Sequence, residues 1–63
     1  MAVELTDVEA KKETEKAILC DIDGKEMWIP KSQIDDDSEV FEEGHYGTLI
    51  ITDWIAEQKE LGG

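Results

Sequence analysis

The chain is expected to be mostly β (α+β): a small, strongly bent antiparallel sheet, or a partly open SH3- or OB-like barrel, of four to five strands with one short C-terminal helix. Three observations lead there. Two β-rich apolar runs, AILCDI (17–22) and KEMWI (25–29), flank Asp23-Gly24. A third such run, TLIIT (48–52), comes late in the chain and passes directly into a helical start signal. The whole sequence has only 63 residues, so it forms one domain, 1–63, with room for short elements alone.

The N-terminal third carries two competing signals. TDVE (6–9) could be a helix capping box, but residues 13–16 supply no apolar side chain for a core face. Alternation from Val3 favours a first strand over residues 3–10, followed by a polar bend. The hairpin comes next. Asp-Gly is the preferred two-residue loop because a type I′ turn needs positive φ at both central positions. That loop sets the register. Ile22 should face Lys25, Cys20 should face Met27, and Ile18 should face Ile29, all on one side of the ribbon. Leu19 and Trp28 should meet on the other side, with Asp21 and Glu26 beyond. Both faces thus carry apolar groups, and only one can be the core.

Pro30 should end the second hairpin strand, since it has no N–H for a ladder. KSQI (31–34) reads as a turn that brings Ile34 back to the core, and EVF (39–41) as a short strand. With the TLIIT strand in place, the strand order reads as a meander followed by a helix. Thr52 is a suitable N-cap, and Asp53 suits the positive end of the helix dipole. Trp54, Ile55 and Leu61 are expected to form the apolar stripe, and Gly62 the C′ cap. Core packing is the simplest role for both tryptophans.

Charge is the dominant compositional fact. Seventeen acids stand against six lysines, with no arginine, giving a net charge of −11. Phosphate contact needs clustered cations, so direct duplex binding is disfavoured, as is an anionic membrane. A basic protein surface would be attracted and its encounter accelerated. Solubility alone is the simpler use of the same charge. The acid concentrates in residues 35–43, where six of nine positions are Asp or Glu. Asp35, Asp36, Asp37, Glu39, Glu42 and Glu43 are therefore the candidate partner-binding residues. Leu19 and Trp28 join them as an apolar contact pair if their face stays uncovered.

Other motifs carry less. DIDG suggests a calcium loop, but with Gly24 at the sixth position the first and twelfth fall on Leu19 and Pro30, so a hairpin turn explains it better. DDDSE (35–39) has no fixed ligand spacing and reads as a solvated acidic loop. Single Cys20 and single His45 make no recognisable zinc set. Cys20 reads as a small buried hydrophobe in a reducing compartment, with no internal disulfide available. Gly62-Gly63 is read as a helix end in preference to a modifier tail. No catalytic constellation, cofactor motif, signal peptide or membrane span is present, which points to a non-enzymatic, soluble, intracellular protein.

The string Trp28-Ile29-Pro30-Lys31-Ser32-Gln33-Ile34, within IDG-E-x-WIPKSQI and followed by acid, a Gly-containing turn and a Trp-Ile-Ala-Glu helix, resembles a group of small phage- and prophage-borne proteins of unknown function. The resemblance spans residues 13–61. It implies a bacterial or phage cytoplasmic setting and a compact, mostly-β fold, and it implies no reaction. Two functions follow as expectations. The first is an acidic interaction protein that binds a basic protein surface, in its sharpest form an inhibitor or nucleic-acid mimic. The second is a single-stranded nucleic-acid or replication accessory module that stacks bases on Trp28 and Tyr46.

Overall fold

The computed structural model describes residues 2–61. Its longest element is β1 (Ala2–Glu13), followed by β2 (Ala17–Ile22), β3 (Lys25–Pro30), a 3-10 turn (Lys31–Gln33), β4 (Tyr46–Thr52) and α1 (Asp53–Gln58). The four strands form one antiparallel sheet in the order β3-β2-β1-β4.

The expected meander holds for the first three strands only. β4 adds beside β1, not beside β3, and the length of β1 explains why. Its first part, from Ala2 to Glu9, pairs with β4, while Glu9 to Glu13 pair with β2. One strand thus serves two partners. The register shifts twice along it, between Leu5 and Val8 and between Ala10 and Lys12. Asp7 sits in the first irregularity with φ of 57°, a left-handed conformation that Asp tolerates better than most residues. Such bulges bend a strand and increase its twist, which lets one sheet wrap its own core.

The hairpin has the register its turn dictates: Ile22↔Lys25, Asp21↔Glu26, Cys20↔Met27, Leu19↔Trp28 and Ile18↔Ile29. Asp23 and Gly24 both have positive φ, 54° and 83°. Ile18, Cys20, Ile22 and Ile29 are buried, and Met27 packs against them. From the other arm, Val8, Ala10, Leu49 and Ile51 meet this face, and Val40, Ile55 and Ala56 close it. Each fully buried aliphatic side chain of this kind contributes about 1.5–3 kcal/mol. The Cys20 thiol is buried in this layer, and desolvation pushes its pKa up to about 11.

Among the described residues, no aromatic ring is part of this core. Trp28, Phe41, Tyr46 and Trp54 are between 42% and 64% exposed, contrary to the core role expected of the tryptophans. Aliphatic side chains and Cys20 fill the core. In α1 the buried face is Ile55 and Ala56, with Leu61 packed alongside, so Trp54 lies off the expected stripe. The helix start is as expected: Thr52 Oγ1 accepts from Ile55 N at 3.3 Å, and Asp53 occupies the first turn. At its other end Glu60 takes the left-handed conformation, with φ of 58°, and Leu61 N donates to Ala56 O at 2.7 Å. The expected Gly62 cap, like the Gly62-Gly63 pair, lies outside the described residues.

Residues 39–41 do not form the expected strand. They belong to an irregular segment whose attachment to the sheet defines the candidate site.

Candidate functional site

Residues 34–45 form a strap that runs along the outer edge of β4 over residues 34–39 and returns to β1 where Gly44 and His45 bond Ala10. Ile34 bridges to Ile51, Asp35 N donates to Ile50 O at 2.8 Å, and Glu39 N donates to Thr48 O at 2.9 Å. The strap is irregular, so its backbone does not satisfy every group on this edge, and two side chains complete the task. Ser38 Oγ accepts from Ile50 N at 3.0 Å and from Val40 N at 3.3 Å, and its hydroxyl donates to Val40 O at 2.8 Å. Glu39 Oε1 accepts from Thr48 N at 2.9 Å. Asp35 Oδ1 accepts from Asp37 N at 2.9 Å and fixes the turn between them.

Three positions in and beside the strap are buried or crowded in a way that composition concealed. Ser38 is only 4% exposed, and Val40 is fully buried. Gly47 has φ of 146°, and a Cβ there would lie 2.7 Å from Glu39 Oε1. The glycine is needed for the close approach of that carboxylate to β4. DDDSE (35–39), expected to be a solvated acidic loop, keeps its four acids exposed but buries Ser38. The run 35–43 is a structural strap in which the Asp35 and Glu39 carboxylates bond backbone amides while Asp36, Asp37, Glu42 and Glu43 are exposed. The alternation Ser38, Val40 inward and Asp37, Glu39, Phe41 outward was readable as a period of two, but the density of acid masked it.

A second anchor joins the strap to the rest of the sheet. Glu13, at the end of β1, accepts from Lys31 Nζ through Oε2 and from Glu43 N through Oε1, the latter at 3.2 Å. The Lys31 hydrogen bond, and after it the Glu43 amide, hold the Glu13 carboxyl below the ordinary carboxylate range. An open groove lies between these parts, lined by Glu13, Lys31, Ile34, Asp35, Asp36, Phe41 and Glu42. Phe41 packs edge-on against His45 with ring centroids 4.4 Å apart, and His45 Nδ1 accepts from Phe41 N at 3.3 Å.

All six acids singled out from the sequence are exposed: Asp35, Asp36, Asp37, Glu39, Glu42 and Glu43. Among the described residues Glu42 Oε2 lies 3.9 Å from His45 Nε2, and none of the six acids pairs with a lysine. Asp36, Asp37 and Glu43 make no ion pair there. Among the described residues, no three His, Cys, Asp or Glu side chains gather as metal ligands, and no helix is long and apolar enough to cross a membrane.

The apolar pair is elsewhere. Leu19 and Trp28 face each other across β2 and β3, and Trp28 is 42% exposed. The helix packs mainly against β4 and β1, and Leu19 is half-buried. Six of the eight candidate residues thus lie on the strap, and the other two lie on β2 and on the edge strand β3. Comparison with protein-family models, curated proteins and solved structures finds no match to this chain.

Proposed function

We propose that this protein is a non-enzymatic interaction protein whose acidic surface docks on a basic protein surface. The observation that carries this reading is the strap. Its backbone is fixed by Ser38, Glu39 and Asp35, while Asp36, Asp37, Glu42 and Glu43 project into solvent without lysine partners. Charges held at fixed positions lose little entropy on binding and give a partner a defined pattern to match. The finer form is an inhibitor that occupies a groove otherwise used by nucleic acid, and the resemblance noted above suggests a phage or prophage setting in a bacterial cytoplasm.

The test is kinetic. A basic partner isolated from bacterial lysate is presented to the parent chain and to a variant with Asp36→Asn, Asp37→Asn, Glu42→Gln and Glu43→Gln. The association rate with the parent should fall as salt rises, and the variant should associate more slowly with a flatter salt dependence. Equal rates at every salt concentration would confine the acid to solubility.

The exposure of Trp28 and Tyr46 supports the second reading, a single-stranded nucleic-acid module. The charge around them opposes it. Tyr46 Oη donates to Asp7 Oδ1 at 3.3 Å, and the Asp7 charge and this bond push the phenol pKa up. A gel shift of labelled single-stranded DNA at low salt separates the two readings: binding of free DNA favours the module.

A further inference from the structure

We propose that the outer edge of β3 is a strand-addition site for an extended, basic segment of a protein partner. The phase of the hairpin ladder shows which groups are available. Residues flanking a two-residue loop form a hydrogen-bonded pair, and the pairs then alternate along the ribbon. Ile22/Lys25, Cys20/Met27 and Ile18/Ile29 are therefore the bonded pairs. The next position in that phase, Lys16/Lys31, confirms it, because Lys31 N donates to Lys16 O at 2.8 Å. Glu26 and Trp28 are consequently the β3 residues whose N–H and C=O point away from β2. Since β3 is an edge strand, and no turn, loop or side chain bonds their amides among the described residues, both rungs are open. Pro30, which has no N–H, and Lys25 bracket this two-rung opening and limit unspecific pairing.

The side chains on these rungs specify the occupant. Glu9, Asp21 and Glu26 are register neighbours across β1, β2 and β3. Only Lys11, 3.9 Å from Asp21, offsets this row, and Glu26 has no ion pair among the described residues. Like charges directly opposite each other are unfavourable, so a cation placed beside Glu26 relieves them. In the next row, Lys12, Leu19 and Trp28 are register neighbours, and Trp28 offers an apolar contact. An antiparallel strand added here would place its residue opposite Trp28 first and its residue opposite Glu26 two positions later. The recognised pattern is thus apolar, any residue, then Lys or Arg. The middle residue shares a face with half-buried Met27. A second copy of this chain is the wrong occupant, since it would bring another −11 charge and another acidic row to the same edge. The proposal deepens the acidic-docking reading and takes from it only the sign of the partner's charge.

The experiment uses the synthetic peptide acetyl-Thr-Leu-Val-Lys-Thr-amide and two analogues of equal charge. One is N-methylated at Leu and Lys, whose amides would enter the ladder, and the other at Val, whose amide would face away. Backbone amide resonances of the full chain are followed by NMR. The parent peptide should shift and protect the Glu26 and Trp28 amides. Loss of two ladder bonds, with methyl groups in their place, should weaken binding at least about tenfold for the first analogue and little for the second. Trp28→Ala should weaken the parent peptide while leaving the chain folded, because Trp28 lies outside the core. Equal binding of all three peptides, with shifts along residues 35–43, would overturn the edge site and leave the acidic-docking reading standing. No shift at millimolar peptide overturns the edge site, and if basic proteins also fail to bind at low salt, the docking reading falls with it. Concentration-dependent protection of Glu26 and Trp28 without peptide would identify a self-association contact and overturn the choice of occupant.

Discussion

The two edges of the sheet face the same physical problem and meet it differently. Along β4, the outward N–H groups of Thr48 and Ile50 are taken by Glu39 and Ser38 side chains, and the carbonyls of the same residues by strap amides. Along β3, the equivalent groups of Glu26 and Trp28 have no such partner among the described residues. Acid is present at both edges. At β4 it rides on a segment with a buried underside, while at β3 it belongs to the strand itself. An edge can be covered only by chain that also buries something, and Ser38 and Val40 provide that at β4. β3 leads into the 3-10 turn at Pro30, and the chain then crosses to the opposite edge.

The largest test concerns the core that both edges share. Ile18→Ala or Ile29→Ala should each cost about 2–5 kcal/mol, enough to unfold much of so small a domain, as read by thermal denaturation. If either variant melts like the parent, the two edges do not rest on the layer described here. Ser38→Ala sharpens the contrast directly. It removes the acceptor for Ile50 N at a buried position and should cost about 1–3 kcal/mol, whereas Trp28→Ala at the open edge should cost less. A larger loss from Trp28→Ala would reverse the comparison. Gly24→Val tests the turn that sets the phase of the open edge. Space is available there, since nothing lies within 4 Å of a Cβ, so the penalty is backbone strain alone. It should exceed about 1 kcal/mol, and an unchanged melting temperature would remove the type I′ turn.

A pH titration separates the strap anchor from the free acids. Glu13 has a lowered pKa in the folded chain, so its contribution is present above its unfolded value, near 4.5, and is lost as pH falls through the folded value. Glu13→Gln should therefore lose less stability than the parent on acidification below that point, measured by melting temperature against pH. The smallest effect belongs to Asp36, Asp37, Glu42 and Glu43. Converting all four to amides should leave the melting temperature unchanged or slightly raised, because their mutual repulsion is relieved. A marked loss would show that these carboxylates hold the strap in place, and the distinction between anchoring and outward-facing acids would fail.

What the sequence determined by itself is local. Asp23-Gly24 set the hairpin register through its turn geometry, and period-two alternation then assigned Ile18, Cys20, Ile22 and Ile29 to one face. Thr52 and Asp53 set the helix start, because capping involves neighbouring residues only. The tertiary structure decided what depends on distant partners. That β4 joins β1 follows from a long strand bending at Asp7, which no neighbouring residue announces. The strap is a strap because Ile50 and Thr48 needed partners that Ser38 and Glu39 could supply across twelve and nine residues. The two tryptophans looked like core residues because hydrophobicity is legible in a sequence, whereas which side chains a sheet will enclose is not. Aliphatic side chains and Cys20 filled the core and left Trp28 at an open edge.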